Sequence, residues 1–359
     1  MKIRRILLER RTLELDPPFV AAWDPEPRRS FEATLVFVDT DEGVMGIGSG
    51  DSMDGFERYE HLFLGEDARD LERHVRVLET IAFHAARYWP LEAALWDAIG
   101  KADEKPVADL AGGFVRRLPV YASTGELRSP EQRAEDALAL RSEGFAALKV
   151  RIAPDRLDEG IATVAAVRNA VAETMAIAVD VNEGWRMPGD LRDPLERGEL
   201  RRLADALREL DVLWLEEPLP TADPAGLAAL RRETGLRIAG GEMVRTVSEL
   251  DACLEADALD LYQPDAVLAV GFKRAYEVGR RAQRHGRWFS PHTWTNGIGL
   301  LVNLHLAAGV EAEPFLEFPY DPPTWTPERR DFMLAEPIRV DTDGCVAVPD
   351  RPGLGVELA

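Results

Sequence analysis

The alternation of apolar and polar positions changes rhythm near Leu118. Upstream, a strand-like start and the loop DPPFVAAWDPEP precede FEATLVFVDTDEGVMGIGSGD, two period-two runs about Asp41-Glu42-Gly43 that predict a β-hairpin. From about Glu57 to Ala111 the apolar spacing becomes helical, ending in WPLEAALWDAIGKADEKPVADLAGG with glycines as stops. Strands followed by a block of helices predict an α+β domain. Downstream, LPVYAS, AALKVRI, AIAVDVN, VLWLEEP, RIAGGE, DLYQPD, RWFSPH and PFLEF read as strands, with amphipathic helices such as SPEQRAEDALALRSEG and FKRAYEVGRRAQRHG between them. Repeated strand-helix units predict a TIM-type barrel, with a doubly wound open sheet as the alternative. The tail IRVDTDGCVAVPDRPGLG reads as a further hairpin that packs back on the first domain. The expected division is an α+β domain over 1–118, a barrel over 119–325 and a returning segment over 326–359.

In a parallel barrel the chemistry lies where the strands end. Here they end on Lys149 and Arg151, Asp180 and Asn182, Glu216 and Glu217, Glu242, Asp265, His292 and Glu317. From Asp180 the steps are 36, 26, 23, 27 and 25 residues, one strand-helix unit each, so these groups can converge on one mouth. Three carboxylates from consecutive units, Asp180, Glu216 and Glu242, would repel one another as bare anions. A hard divalent cation removes the conflict, and an all-oxygen shell suits Mg²⁺, with Mn²⁺ as a substitute. The stretch DVNEGW imitates the start of a calcium-binding loop, but Trp185 stands where that loop needs Gly and Leu191 where it needs Glu. The GIGSG stretch lacks both the spacing and the lysine of a phosphate loop and reads as a strand end with a tight turn.

Asp265 and His292 end neighbouring strands, so the carboxylate can fix the imidazole tautomer of a general base or acid; His285 and His305, in helical stretches, are weaker candidates. Glu317 is flanked by Phe315, Leu316, Phe318 and Pro319, a setting that raises a carboxyl pKa and would make it a proton donor to a developing oxyanion; a partner for an arginine is the competing reading. Lys149 and Arg151 share one strand face while Leu148, Val150 and Ile152 share the other. In the first domain Phe19 and Trp23 either cover the mouth or pack in a core.

Composition narrows the partners. With 43 Lys and Arg against 64 Asp and Glu the formal charge is −21, which argues against nucleic acid and against an anionic membrane surface. It does not exclude a small anionic substrate held by a local cation cluster or a metal. Cys253 and Cys345 form no disulfide or metal pattern, which fits a reducing compartment, and no apolar run reaches the ~20 residues of a membrane span. A cytoplasmic location is expected.

Taken in order, the K-x-R, D-x-N, E-E-P, G-E, Q-P-D, P-H and apolar-flanked E motifs make the chain resemble the enolase superfamily, in its mandelate racemase / muconate lactonizing enzyme family. The ALWDAIGKADEKPVADLAGG helix looks like that family's capping domain, so the resemblance covers essentially the whole chain. It implies an α/β fold, a modified TIM barrel (β/α)7β with an N-terminal α+β capping domain completed by the C-terminal segment. It also implies Mg²⁺ on Asp180, Glu216 and Glu242, with Glu217 behind the ligands, His292 with Asp265 as catalytic dyad, Glu317 as electrophilic acid, and a homo-oligomer. The shared chemistry would be removal of the proton α to a carboxylate. The family's racemases carry a lysine base where this chain has Arg151, a guanidinium that stays protonated. That departure favours a dehydratase of an aldonic or aldaric acid, with Lys149 and Arg151 holding the substrate's negative charge. A racemase, epimerase or cycloisomerase is the alternative; a depressed pKa on Lys149 would support it by supplying a second base. A catalytically silent, metal-stabilised binding barrel is the rival outside enzymology.

Overall fold

A computed structural model describes residues 1–359. β1 (Ile3–Phe19), β2 (Arg28–Thr40) and β3 (Met45–Gly48) form one antiparallel sheet in that order. The hairpin forms as patterned, with Val36 opposite Gly48 and Asp39 opposite Met45, and Gly43 (φ 78°) takes the left-handed position in the turn. β1 runs further than expected, through the proline pair to Phe19, its register slipping after Glu14. The cap is completed by α1 (Leu71–His84), α2 (Trp89–Ala102) and the short α3 (Val107–Leu110). The GIGSG stretch proves to be a contact surface. A Cβ on Gly46 would lie 2.0 Å from the Ala94 carbonyl oxygen and one on Gly48 2.2 Å from that of Pro90, so only glycine lets α2 lie this close to β3.

The eight expected strands all form: β4 (Arg117–Ser123), β5 (Ala147–Arg151), β6 (Ala176–Asp180), β7 (Leu215–Glu216), β8 (Ile238–Gly240), β9 (Leu261–Tyr262), β10 (Trp288–Phe289) and β11 (Leu316–Pro319). Between them lie α4 (Pro130–Ser142), α5 (Leu157–Val171), α6 (Arg197–Glu209), α7 (Pro224–Thr234), α8 (Val247–Glu255), α9 (Phe272–Arg284) and α10 (Gly297–Val310). The ladder runs β10-β9-β8-β7-β6-β5-β4-β11, all parallel. Across the remaining gap Glu313 N donates to Phe289 O (3.0 Å) and Ser290 Oγ to Phe315 O (2.7 Å). The result is the modified TIM barrel, (β/α)7β, with an N-terminal α+β cap.

Period two sorts the barrel residues. Leu148, Val150, Ile177, Val179 and Leu316 face the helices and join the main apolar core. A separate buried cluster fills the lower barrel, where Tyr121 and Trp214 pack edge-on (5.4 Å) and Ala147, Ala178 and Ala239 leave them room. Above that plug the same inward positions turn charged.

The tail differs from the expected hairpin. Its turn closes at Gly344 N to Asp341 O (3.0 Å), but only the second arm, β12 (Cys345–Ala347), is a strand, and it pairs antiparallel with Arg117–Pro119 at the start of β4, ahead of the residues that β11 and β5 pair. Beyond it the chain does reach the cap, where Leu354 N donates to Asp97 Oδ1 (2.7 Å) and Gly353 O accepts Val107 N (2.9 Å). α11 (Pro327–Arg330) precedes this segment. No helix is long and apolar enough to cross a membrane.

Cap and barrel also meet at α2. Trp89 Nε1 donates to Ala269 O (2.7 Å), and the buried Glu92 accepts Lys273 N (2.8 Å) at the start of α9 and Trp96 Nε1 (3.1 Å). Gly271 (φ 84°) is the hinge of this contact, since a Cβ there would sit 2.2 Å from Glu92 Oε2. Burial raises the Glu92 carboxyl to about 7.

His305 joins three segments: its Nδ1 accepts Ala108 N (3.1 Å) and its Nε2 lies 3.2 Å from Leu354 O. One ring nitrogen accepting and one donating requires the neutral ring, and burial lowers its pKa to about 4. A histidine lowered in the folded state stabilises the fold above its unfolded pKa and loses that contribution as pH falls toward the folded value. We expect about 3 kcal/mol of stability to disappear between pH 6.5 and 4. Thermal melts of His305→Gln should lack that part of the acid dependence; an unchanged dependence would refute the assignment.

Candidate active site

The charged inward positions meet at the C-terminal ends of β5 to β11. Arg151 lies beside Asp180 in the β5–β6 ladder, and Asp180 beside Glu216 in the next. One carboxylate oxygen from each of Asp180, Glu216 and Glu242 comes within 4.8 Å of the others, and all three side chains are buried. Glu217 stays apart: its backbone is left-handed (φ 48°) and its carboxylate is tucked where Gly184 leaves space. Asn182 donates its backbone N–H to Asp180 Oδ1 (2.8 Å) and accepts Arg151 Nη1 on its side chain (2.8 Å).

These donors fit a hard cation. Glu242 Oε2 and Glu217 Oε2 are buried without a hydrogen-bond partner, and burial, reinforced by the neighbouring carboxylates, raises the carboxyls of Glu216 (to about 7), Glu217 and Glu242, opposed by Lys149 at Glu216 and by His292 at Glu242. Buried acids held short of charge balance are what a divalent ion would relieve. Lys149 partly does so now. Its ammonium is wholly buried, bonds to Glu216 and to Glu317 Oε1 (2.7 Å), and lies 3.3 Å from Asp180 Oδ2. Burial opposes its charge, but Glu216, Glu317 and Asp180 outweigh burial and raise its pKa. In this arrangement three acids surround the amine and favour its charged form.

Glu317 also departs from expectation. Its apolar neighbours Leu316 and Phe318 lie on the opposite strand face, in the core, while its own carboxylate accepts Lys149, Ser123 Oγ (2.8 Å) and Thr293 N (2.7 Å). Burial would raise its pKa, yet Lys149, His292 and Arg151 carry it below the usual carboxylate range, so the acid is ionised in this arrangement. The dyad residues do meet: His292 Nδ1 is 2.9 Å from Asp265 Oδ2, and Nε2 is 3.8 Å from Glu242 Oε2. Burial favours the neutral ring, but Glu242, then Glu317 and Asp265, together raise it to about 9.

A cavity of about 570 Å³ opens over this constellation, lined from the barrel by Arg151, Asn182, Glu242 and His292. Lys149 lies behind the wall. From the cap, Trp23 lines the cavity and packs 4.6 Å under the Arg151 guanidinium. Phe19 does not line it: the ring is fully buried, stacked on Trp294 (5.6 Å) and against Trp325 (4.9 Å), and belongs to a core cluster. Sequence reasoning missed several participants. Trp185 donates to Glu242 Oε1 (2.7 Å), Gln263 to Glu216 Oε2 (3.0 Å), and Trp294 to Ser123 Oγ (2.7 Å). Trp185 and Gln263 lie inside the DVNEGW and Q-P-D stretches, and Trp294 two residues beyond His292. The cap's Arg28, Thr34 and Asp51 also line the cavity, with no pattern in the sequence to mark them.

A (β/α)7β barrel whose mouth joins an acidic triad to a His–Asp pair beneath a cap belongs with metal-dependent enzymes of enolase type. The family model "Enolase C-terminal domain-like" matches residues 132–359, and the chain belongs to the enolase superfamily, in its mandelate racemase / muconate lactonizing enzyme family. It is 29% identical to a D-galactarolactone cycloisomerase of Agrobacterium fabrum over 99% of this chain and 95% of the relative. It is 32% identical to an arabinonate dehydratase of Saccharolobus solfataricus over 75% and 68%. A racemase of Streptomyces coelicolor, solved with bound magnesium, superposes with a TM-score of 0.84 at 26% identity, over 99% of this chain and 97% of that one. The triad and this neighbour support magnesium as the metal.

Chelation tests the site directly. A ligand present at a hundredfold its dissociation constant stabilises the folded state by about 2.7 kcal/mol. EDTA treatment is expected to lower Tm and abolish turnover, and added Mg²⁺ to restore both; a Tm and an activity indifferent to EDTA would remove the metal from Asp180, Glu216 and Glu242.

Proposed function

We propose that the protein dehydrates a sugar acid, an aldonate or aldarate, to a 2-keto-3-deoxy acid. The observation that carries this reading is the cavity wall itself: one His–Asp pair faces the substrate space, and the position of a racemase's second base holds Arg151, a permanent cation tied to Asp180 and Asn182.

Asp265 accepts His292 Nδ1–H, which leaves Nε2 to take the α-proton. Glu242 is the largest attraction holding a proton on His292, so neutralising that carboxylate lets the ring act as a base near neutral pH. The metal, held by Asp180, Glu216 and Glu242, would supply dense positive charge toward the substrate carboxylate, with Mn²⁺ a working substitute. Arg151 adds a fixed cation on the same wall. Glu317, ionised, keeps Lys149 in place; a substrate carboxylate arriving beside it is tolerated once one of the two acids takes a proton, which restores the donor role its motif suggested. His292, now protonated at Nε2, returns that proton to the departing 3-hydroxyl, and water leaves. The enol so formed becomes the keto acid.

The relative named D-galactarolactone cycloisomerase, aligned along nearly the whole chain, favours isomerisation as the second reading. A screen of acid sugars and their lactones in deuterated water separates the two. Keto-acid release supports dehydration; α-hydrogen exchange or ring opening without loss of water would replace it by isomerisation. No turnover or exchange with any member would defeat both.

A further inference from the structure

α10 follows the strand that leads to His292, and all of its residues are buried. Within GIGLLVNLHLAAGV, Asn303 and His305 are the residues with polar side chains. His305 is accounted for by α3 and the tail. Asn303 is wholly buried and faces the dyad: Nδ2 donates to Asp265 Oδ1 (3.1 Å) and to Gly299 O (3.2 Å), while Oδ1 accepts Ala266 N (2.9 Å). Asp265 Oδ1 also accepts Val267 N (2.6 Å) and Leu268 N (3.0 Å), so that oxygen is saturated and Oδ2 alone addresses His292 Nδ1 (2.9 Å).

We propose that Asn303 is a positioning residue for proton transfer, fixing the plane of the Asp265 carboxylate and the loop beneath it so that His292 is held in one tautomer and one orientation. An amide suits this place for a chemical reason. It donates to the carboxylate and accepts from the adjacent backbone N–H at once, which no apolar residue does and which an acid cannot do without repelling Asp265. If Asn303 merely satisfied Ala266 N, aspartate would serve as well, being the same size and retaining the acceptor. The inference rests on the proposed role of His292 and Asp265.

Asn303→Asp and Asn303→Ala are the variants, each made in the natural chain and with Asp265→Asn. In the natural background kcat is expected to fall by about 10- to 100-fold with KM within about twofold, as for groups that orient a catalytic side chain. With Asp265→Asn already present, either Asn303 substitution should cost less than about threefold more, because Asn303 acts through the carboxylate–imidazole contact that the Asp265 variant has already removed. Equal losses in both backgrounds, a change confined to KM, or an unaltered kcat would overturn the proposal. Should Asn303→Asp fail to fold, the Asn303→Ala cycle is read in the same way. A second readout does not depend on turnover: in ¹⁵N-histidine-labelled protein, the Nδ1–H resonance that disappears in His292→Asn should move or broaden in both Asn303 variants. Its persistence unchanged would also overturn the proposal. Absence of turnover in the natural protein would instead strike the proposed function and leave the resonance test standing.

Discussion

Asn in place of His292 is expected to lower kcat by on the order of 10³- to 10⁴-fold while leaving Tm and Mg²⁺ affinity near those of the natural chain. Its amide nitrogen falls close to the imidazole Nδ1 and can still donate to Asp265 Oδ2, so the buried carboxylate keeps a partner. Nothing then occupies the place of Nε2, and the cavity loses its proton acceptor. Arg151 cannot substitute, and Lys149 is held charged behind the wall by Glu216, Glu317 and Asp180. Dehydration and α-hydrogen exchange should therefore fail together. A variant that still exchanged the α-hydrogen in deuterated water would show that the base lies elsewhere.

Lys149→Met should produce the largest loss of stability. Methionine fills much of the same volume but leaves Asp180, Glu216 and Glu317 without the ammonium they share, and breaking a buried ionic contact in this one-sided way costs about 3–5 kcal/mol. The loss should depend on pH. Glu216 already titrates at about 7 with Lys149 present, and removing the cation raises it further. An acid whose folded-state pKa exceeds its unfolded value binds its proton more readily when folded, so stability is greatest at low pH and falls as pH rises through the folded value. In EDTA, urea denaturation should show a small deficit near pH 5 and a full one near pH 8, with Mg²⁺ recovering part of it. A deficit that did not grow with pH would argue that the carboxylates are screened by solvent instead.

The barrel was legible because its strands alternate so regularly. Ala147, Lys149 and Arg151 on one face and Leu148 and Val150 on the other already describe a surface that looks into a charged mouth and out onto helices. The residues at the strand ends were legible for the same reason, since spacing by strand-helix units is a linear property. What the sequence could not reveal is which neighbour completes each group. Glu317 illustrates this: its flanking Leu316 and Phe318 suggested an apolar setting, but alternation sends them to the far face, and its real neighbours come from β4, β5 and the loop after β10. Trp185, Gln263 and Asn303 act through contacts 57, 47 and 38 residues distant in sequence, which no local pattern encodes. β7, β9 and β10 are also shorter than their apolar runs.

The contact of α2 with the barrel bears on how such proteins can be recombined. Trp89 and Glu92 hold Ala269 and Lys273, the far end of the loop that begins at Asp265. A cap grafted from a relative to bring in a new substrate preference would replace the cavity's Trp23 and Asp51, and with them the support of the dyad. Chimeras that retain α2 and exchange only the segments around Trp23 and Asp51 keep the proton-transfer apparatus intact, which makes α2 the natural seam for transplanting specificity onto this barrel.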